Sequence, residues 1–176
     1  VRVRKYASVE PTTTLGAEEA ALVSITFEAS GTGVPVSANY DFGSSSGSVS
    51  IPVGGSSCKV VVPYGSTVSF SYASTVANGP DTRYVLVTTN AASPLVNLVN
   101  DATITGTYST QYYLTMSSNL GTVTPASGSH WYDAGSTVTI SATPPAAGSG
   151  EQYVWNGWIG SGTGQYTGTD NPASVI

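Results

Sequence analysis

Charge is scarce in this chain. Of 176 residues only 5 are Lys or Arg and 10 are Asp or Glu, for a net charge of −5. Arg2, Arg4 and Lys5 account for most of the bases, and past them only Lys59 and Arg83 remain. No basic patch is left to meet a phosphate backbone, so nucleic-acid binding is not expected. The single cysteine, Cys58, excludes an internal disulfide and reads as a small hydrophobe in a strand. The single histidine, His130, has Ser129 beside it but no third partner for a nucleophilic triad; it reads as a polar turn residue ahead of Trp131. Asp133, Glu151 and Asp170 are scattered through loop-like stretches, without the clustering that a metal site needs. Paired carboxylates for glycoside hydrolysis cannot be placed, and the Gly-rich stretch near Gly160 lacks the Lys and the following helix of a phosphate loop. Neither enzymatic activity nor a cofactor or metal is expected. No apolar run approaches the roughly 20 residues of a membrane-spanning helix. Leu, Lys and Glu are few, so strong helix formers are few.

What is abundant favours strands and turns. Val, Thr and Tyr are abundant, punctuated by 20 Gly and 10 Pro. A polar but uncharged surface of this kind points outside the cell. The chain also repeats itself. Gly65-Ser66-Thr67-Val68 recurs as Gly135-Ser136-Thr137-Val138, and Tyr84-Val85 as Tyr153-Val154, at nearly constant spacing. In each copy a Gly-Ser turn launches an alternating strand: Val68, Phe70 and Tyr72, or Val138, Ile140 and Ala142. A polar loop then leads to an aromatic strand. The stretches 22–33 and 112–122 also correspond in pattern. The first copy predicts strands near 22–29, 34–42, 48–53, 58–62, 66–72, 83–89 and 102–108. The second predicts them near 112–118, 121–124, 136–142, 152–158 and 173–176. Many short strands between turn signals predict an all-β fold. The expected architecture is two tandem immunoglobulin-like antiparallel sandwiches, at 21–110 and 111–176. They follow an N-terminal strand and tether at 1–20.

Three motifs carry a family resemblance: Gly121-Thr122-Val123-Thr124-Pro125, Trp131-Tyr132-Asp133-Ala134-Gly135 and Tyr153-Val154-Trp155-Asn156-Gly157-Trp158. With the tail from Tyr166 to Val175, the stretch 111–176 resembles the divergent internalin B-repeat-like domains of bacterial and archaeal surface proteins. The tail is similar to archaeal members in particular. The resemblance implies a closing strand after Ala173-Ser174-Val175-Ile176, so the second sandwich is expected to lack a strand and to offer those residues as part of an acceptor edge. At the other end, Val1, Val3, Lys5 and Ala7 alternate with Arg2, Arg4 and Tyr6, which is strand patterning. This leading segment is the expected donor, filling the slot of a neighbouring copy in a head-to-tail homopolymer. Two alternatives stay open. The first is that the chain is an excerpt of a multi-repeat surface, S-layer or stalk protein. Exposed aromatics, Trp131 and Trp155 first among them, make a glycan-binding module the lesser alternative. Trp155 and Trp158 differ in strand parity, so Trp158 is assigned to the core and Trp155 to the surface.

Overall fold

The computed structural model describes residues 20–176. The expected donor strand Val1–Ala7, and its tether up to residue 19, lie outside the described residues. Those residues form thirteen β-strands and no helix: β1 (Leu22–Ser30), β2 (Val36–Asp41), β3 (Ser46–Ile51), β4 (Cys58–Pro63), β5 (Ser66–Tyr72), β6 (Thr75–Ala77), β7 (Thr82–Thr89), β8 (Leu95–Leu98), β9 (Ala102–Met116), β10 (Thr122–Thr124), β11 (Gly128–Asp133), β12 (Val138–Thr143) and β13 (Ala173–Val175). One sheet runs β4-β1-β9-β7-β6, with β11 also paired to β9; a second runs β3-β2-β5-β8 and a third β10-β12-β13.

The first two sheets pack as a β-sandwich because their strands alternate. In β5, Val68, Phe70 and Tyr72 are buried and the residues between them are not, the signature of a strand with one dry face. Ile25 and Phe27 of β1, Val62 of β4 and Ile104 of β9 meet Val36 and Ala38 of β2, Ile51 of β3 and Val68 of β5 in one apolar cluster. Phe27 is at its centre, with the rings of Tyr40, Phe70 and Tyr72 at 6.2–6.4 Å. Two tyrosine hydroxyls lie among these apolar groups and hydrogen-bond to backbone. Tyr72 lies 2.7 Å from the Ile104 carbonyl and 2.9 Å from that of Glu28. Tyr108 donates to Ala73 O at 2.6 Å. Burial pushes both hydroxyls up to about 12. A group whose pKa rises on folding stabilises the protein below its unfolded pKa, here about 10, and loses that contribution as pH climbs through the folded value. Thermal melts should therefore be flat up to about pH 9.5 and fall steeply between about pH 10 and pH 12. Tyr72→Phe and Tyr108→Phe should flatten that descent; an unchanged pH profile in the double variant would show that these hydroxyls do not drive it.

Several expectations need correction. The stretches expected as separate strands at 102–108 and 112–118 are one strand, β9, and the expected unit boundary at 110/111 falls inside it. From Thr107 to Met116 the sequence holds no Gly, Pro, Asn or Asp to interrupt pairing, and β1, β7 and β11 all pair with this one strand. His130 is not in a turn but in β11, paired opposite Leu114, with its Nε2 2.7 Å from Ala126 O. Strands β6 and β8, three and four residues long, were too short to carry a periodic signal. Gln152–Trp158 was expected as a strand and is not one.

Candidate functional site

The repeat in the sequence is a repeat in space. Pro63 to Ser66 turns β4 into β5, and Asp133 to Ser136 leads from β11 toward β12. Gly65 and Gly135 hold φ near +77° and +79° in these turns, a conformation that glycine adopts without steric penalty. The following serine caps each turn in the same way: Ser66 Oγ donates to Pro63 O at 2.7 Å and Ser136 Oγ donates to Asp133 O. β1 pairs with β4 from Leu22↔Pro63 to Phe27↔Cys58. The C-terminal part of β9 pairs with β11 from Gln111↔Asp133 to Met116↔Gly128. In this register Leu114 takes the place of Ile25, and Met116 that of Phe27.

β13 likewise takes the place of β8, displaced by two residues along its partner strand, since Val68 corresponds to Val138. Leu95 of β8 pairs with Val68, and Ala173 of β13 with Ile140. Two residues before each pairing, a side chain accepts from the neighbouring strand: Ser93 Oγ from the Phe70 N–H and Asn171 Oδ1 from the Ala142 N–H, both at 2.8 Å. Asn171 Nδ2 returns a bond to Ala142 O at 2.7 Å.

The correspondence then stops at one position. The edge of β1 away from β4 carries the N-terminal part of β9 in parallel, from Ile25↔Ala102 to Ser30↔Thr107, and β7 lies beyond it. On the C-terminal part of β9, β7 reaches only Thr82↔Tyr112, and the Tyr113 N–H still finds Asp81 O at 3.1 Å. From Leu114 onward no strand among the described residues pairs with that edge. Beside it lies a groove of about 290 Å³, lined by Ser117, Ser118 and Asn119, by Val123 and Ala142, and by the Trp155–Ile159 stretch through Trp155, Trp158 and Ile159. Ser117 to Asn119 occupy the places of Glu28 to Ser30, three of the residues that β9 covers in the first unit. The hydrophobic cluster here is small: Met116, Val123, Ile140 and Ala173 are buried, with Leu114, Ala142, Trp158, Tyr166 and Val175 partly so.

The far side of the groove is the segment expected as a strand. In the first unit β7 is laddered by β9 along most of its length. Gln152–Trp158 has no such ladder partner among the described residues, and its backbone takes no strand form. Its Trp side chains hold it instead. Trp155 Nε1 donates to Thr169 O at 2.8 Å and Trp158 Nε1 to Asp170 O at 3.1 Å, with an isolated bridge from Trp158 to Gly168. The two indoles meet edge-on at 5.2 Å. Trp158 packs on the small core, Trp155 is 41% exposed, and Val154 at 79% and Ile159 at 93% are largely open. Nearby, the Tyr166 hydroxyl donates to Asp170 Oδ2 at 2.9 Å, and this bond to a carboxylate raises its pKa.

Of the expected acceptor residues, Ala173, Ser174 and Val175 form β13 and are already paired on one side with β12; Ile176 follows, exposed. β8 is paired on one side in the same way, so the position that distinguishes the two units is the β9 edge at Leu114 and Met116. The signal for it was the match of Leu114-Thr115-Met116 to Ile25-Thr26-Phe27. Trp131, on β11, has the Tyr113 ring at 4.7 Å and the Arg83 guanidinium at 4.5 Å over its own ring; a sugar stacking on that covered ring would have to displace Arg83. Among the described residues no three His, Cys, Asp or Glu side chains gather into a metal-binding group, and no helix is long and apolar enough to cross a membrane. No protein-family model, curated protein or solved structure matches the chain.

Proposed function

We propose that the chain is the structural subunit of an extracellular filament or pilus. In this reading it is built of two immunoglobulin-like repeats of the internalin B-repeat-like kind and polymerises head-to-tail by donor-strand complementation. The observation that carries the reading is the unpaired edge of β9 from Leu114 onward, set beside a groove and a core of four buried residues. Such an edge is a template for another chain, and β-augmentation is the general way of filling it. The donor is Val1–Ala7 of a second copy, with Val1, Val3, Lys5 and Ala7 on one face and Arg2, Arg4 and Tyr6 on the other. Charge supports the pairing. The donor carries Arg2, Arg4 and Lys5, while residues 111–176 contain Asp133, Glu151 and Asp170 and no Lys or Arg, so encounter is electrostatically favoured. Donor and slot belong to different parts of the chain, so the contact is heterologous and propagates as a fibre when it does not close into a ring.

Incubating the purified full chain should give fibres visible by electron microscopy. A molar excess of a synthetic peptide of residues 1–9 should cap the growing ends and shorten them. A chain that stays monodisperse at every concentration, or fibres whose length ignores the peptide, would refute the mechanism. The mass of the native subunit decides between this reading and a multi-repeat surface protein: a polypeptide far longer than 176 residues would favour the latter.

A further inference from the structure

We infer that the vacant position has two flanks, and that the incoming Val1–Ala7 strand of a second copy converts Gln152–Trp158 from irregular chain into the strand on its far side. This rests on the donor-strand reading and goes beyond it, because that reading requires only the β9 edge. In the first unit the order of strands is β1-β9-β7. β1 and β7 do not touch each other's ladders; each is paired to β9, one parallel and one antiparallel. By the repeat, Leu114–Asn119 corresponds to Ile25–Ser30 of β1 and Tyr153-Val154 to Tyr84-Val85 of β7, and no strand among the described residues pairs between them. Both stretches line the groove, through Ser117 to Asn119 and through Trp155 and Trp158.

The sequence of the far flank already suits the role. Tyr153-Val154 matches Tyr84-Val85 of β7, and Gln152–Trp158 contains no Pro, so each residue carries an amide that a ladder can use, that of Trp158 being already bonded to Gly168 O. The β7 ladder shifts register between Leu86 and Thr88; at that offset the second unit has Trp155-Asn156-Gly157, and glycine is the residue that takes a bulge most readily. The exposed side chains of Tyr153, Val154, Trp155 and Ile159 form an apolar surface beside the groove that a completed sheet would draw on. In the register of the first unit, Val1 and Val3 take the places of Ala102 and Ile104. Val3 then lies opposite Met116 as Ile104 lies opposite Phe27.

The test uses the full chain carrying Val3→Asp, which removes its own capacity to donate, with a peptide of residues 1–9 of native sequence. Amide hydrogen exchange should slow at least tenfold in both Leu114–Ser118 and Gln152–Trp158 when the peptide binds, and tryptophan emission should shift to the blue. A peptide carrying Val3→Asp should do neither. The same contrast should separate wild-type fibres from the Val3→Asp monomer. Binding that protects Leu114–Ser118 alone overturns the two-flank inference and leaves the donor-strand reading standing. Absence of both peptide binding and fibres overturns the two together. Protection of Gln152–Trp158 in the variant before any peptide is added would refute a second copy as the occupant.

Discussion

Deletion of residues 1–8 is expected to leave a chain that elutes as a monomer and forms no fibres by electron microscopy, under conditions where the full chain polymerises. The effect should be large because the deleted strand contributes two kinds of interaction at once. On the proposed reading it would supply backbone partners for an edge that has none among the described residues from Leu114 onward, and would place Val1 and Val3 against a cluster of four buried residues. Burying a valine side chain is worth about 1.5–3 kcal/mol, so loss of the two alone weakens each junction by about two to four orders of magnitude. The first sandwich should not notice, since its slot is filled by the N-terminal part of β9: its melting temperature should match that of the full chain. Fibres that persist without residues 1–8 would sink the proposed mechanism. A fall in the stability of the first sandwich would instead show that the leading segment serves its own chain.

Phe27→Ala should be the most damaging single substitution in the first sandwich, costing about 3–5 kcal/mol. Phe27 is fully buried, among the largest side chains that are, and three aromatic rings surround it. Truncation leaves a cavity between two sheets whose spacing is fixed by the remaining strands, so the site has little freedom to collapse. For a chain of this size the melting temperature should drop by roughly 10 °C. Met116→Ala is the corresponding change in the second unit. In the monomer it should cost about 2 kcal/mol, the low end for a buried methionine, because the cluster around Met116 is small and open on the groove side. Calorimetry of both variants would check the contrast; a Phe27→Ala loss below about 1 kcal/mol would mean that the sandwich is not organised around this ring.

Much of the fold was legible because strand formation in this chain is mostly local. Val68, Phe70 and Tyr72 alternate with serines, and β5 buries those three. The Gly-Ser turn that recurs 70 residues later marks two turns with the same glycine conformation and the same serine cap. The failures are non-local. β9 runs through the expected unit boundary because one strand is shared by β1, β7 and β11, and sharing is a property of the sheet rather than of residues 107–113. Gln152–Trp158 has the composition of a strand, and its counterpart Tyr84-Val85 sits in one. Beyond the single bridge from Trp158 to Gly168, it has no ladder partner among the described residues.

The residue order alone determined the alternation that makes strands, the turns that separate them and the repeat that relates the two stretches. These depend on neighbours within a few positions, where side-chain size and backbone freedom decide. The tertiary arrangement alone decided which edge is unpaired among the described residues: that of β9 from Leu114, which runs on into Ser117–Asn119, and these line a groove together with Trp155 and Trp158. A ladder needs two partners in space, and which partner is missing shows only once all the others have been placed.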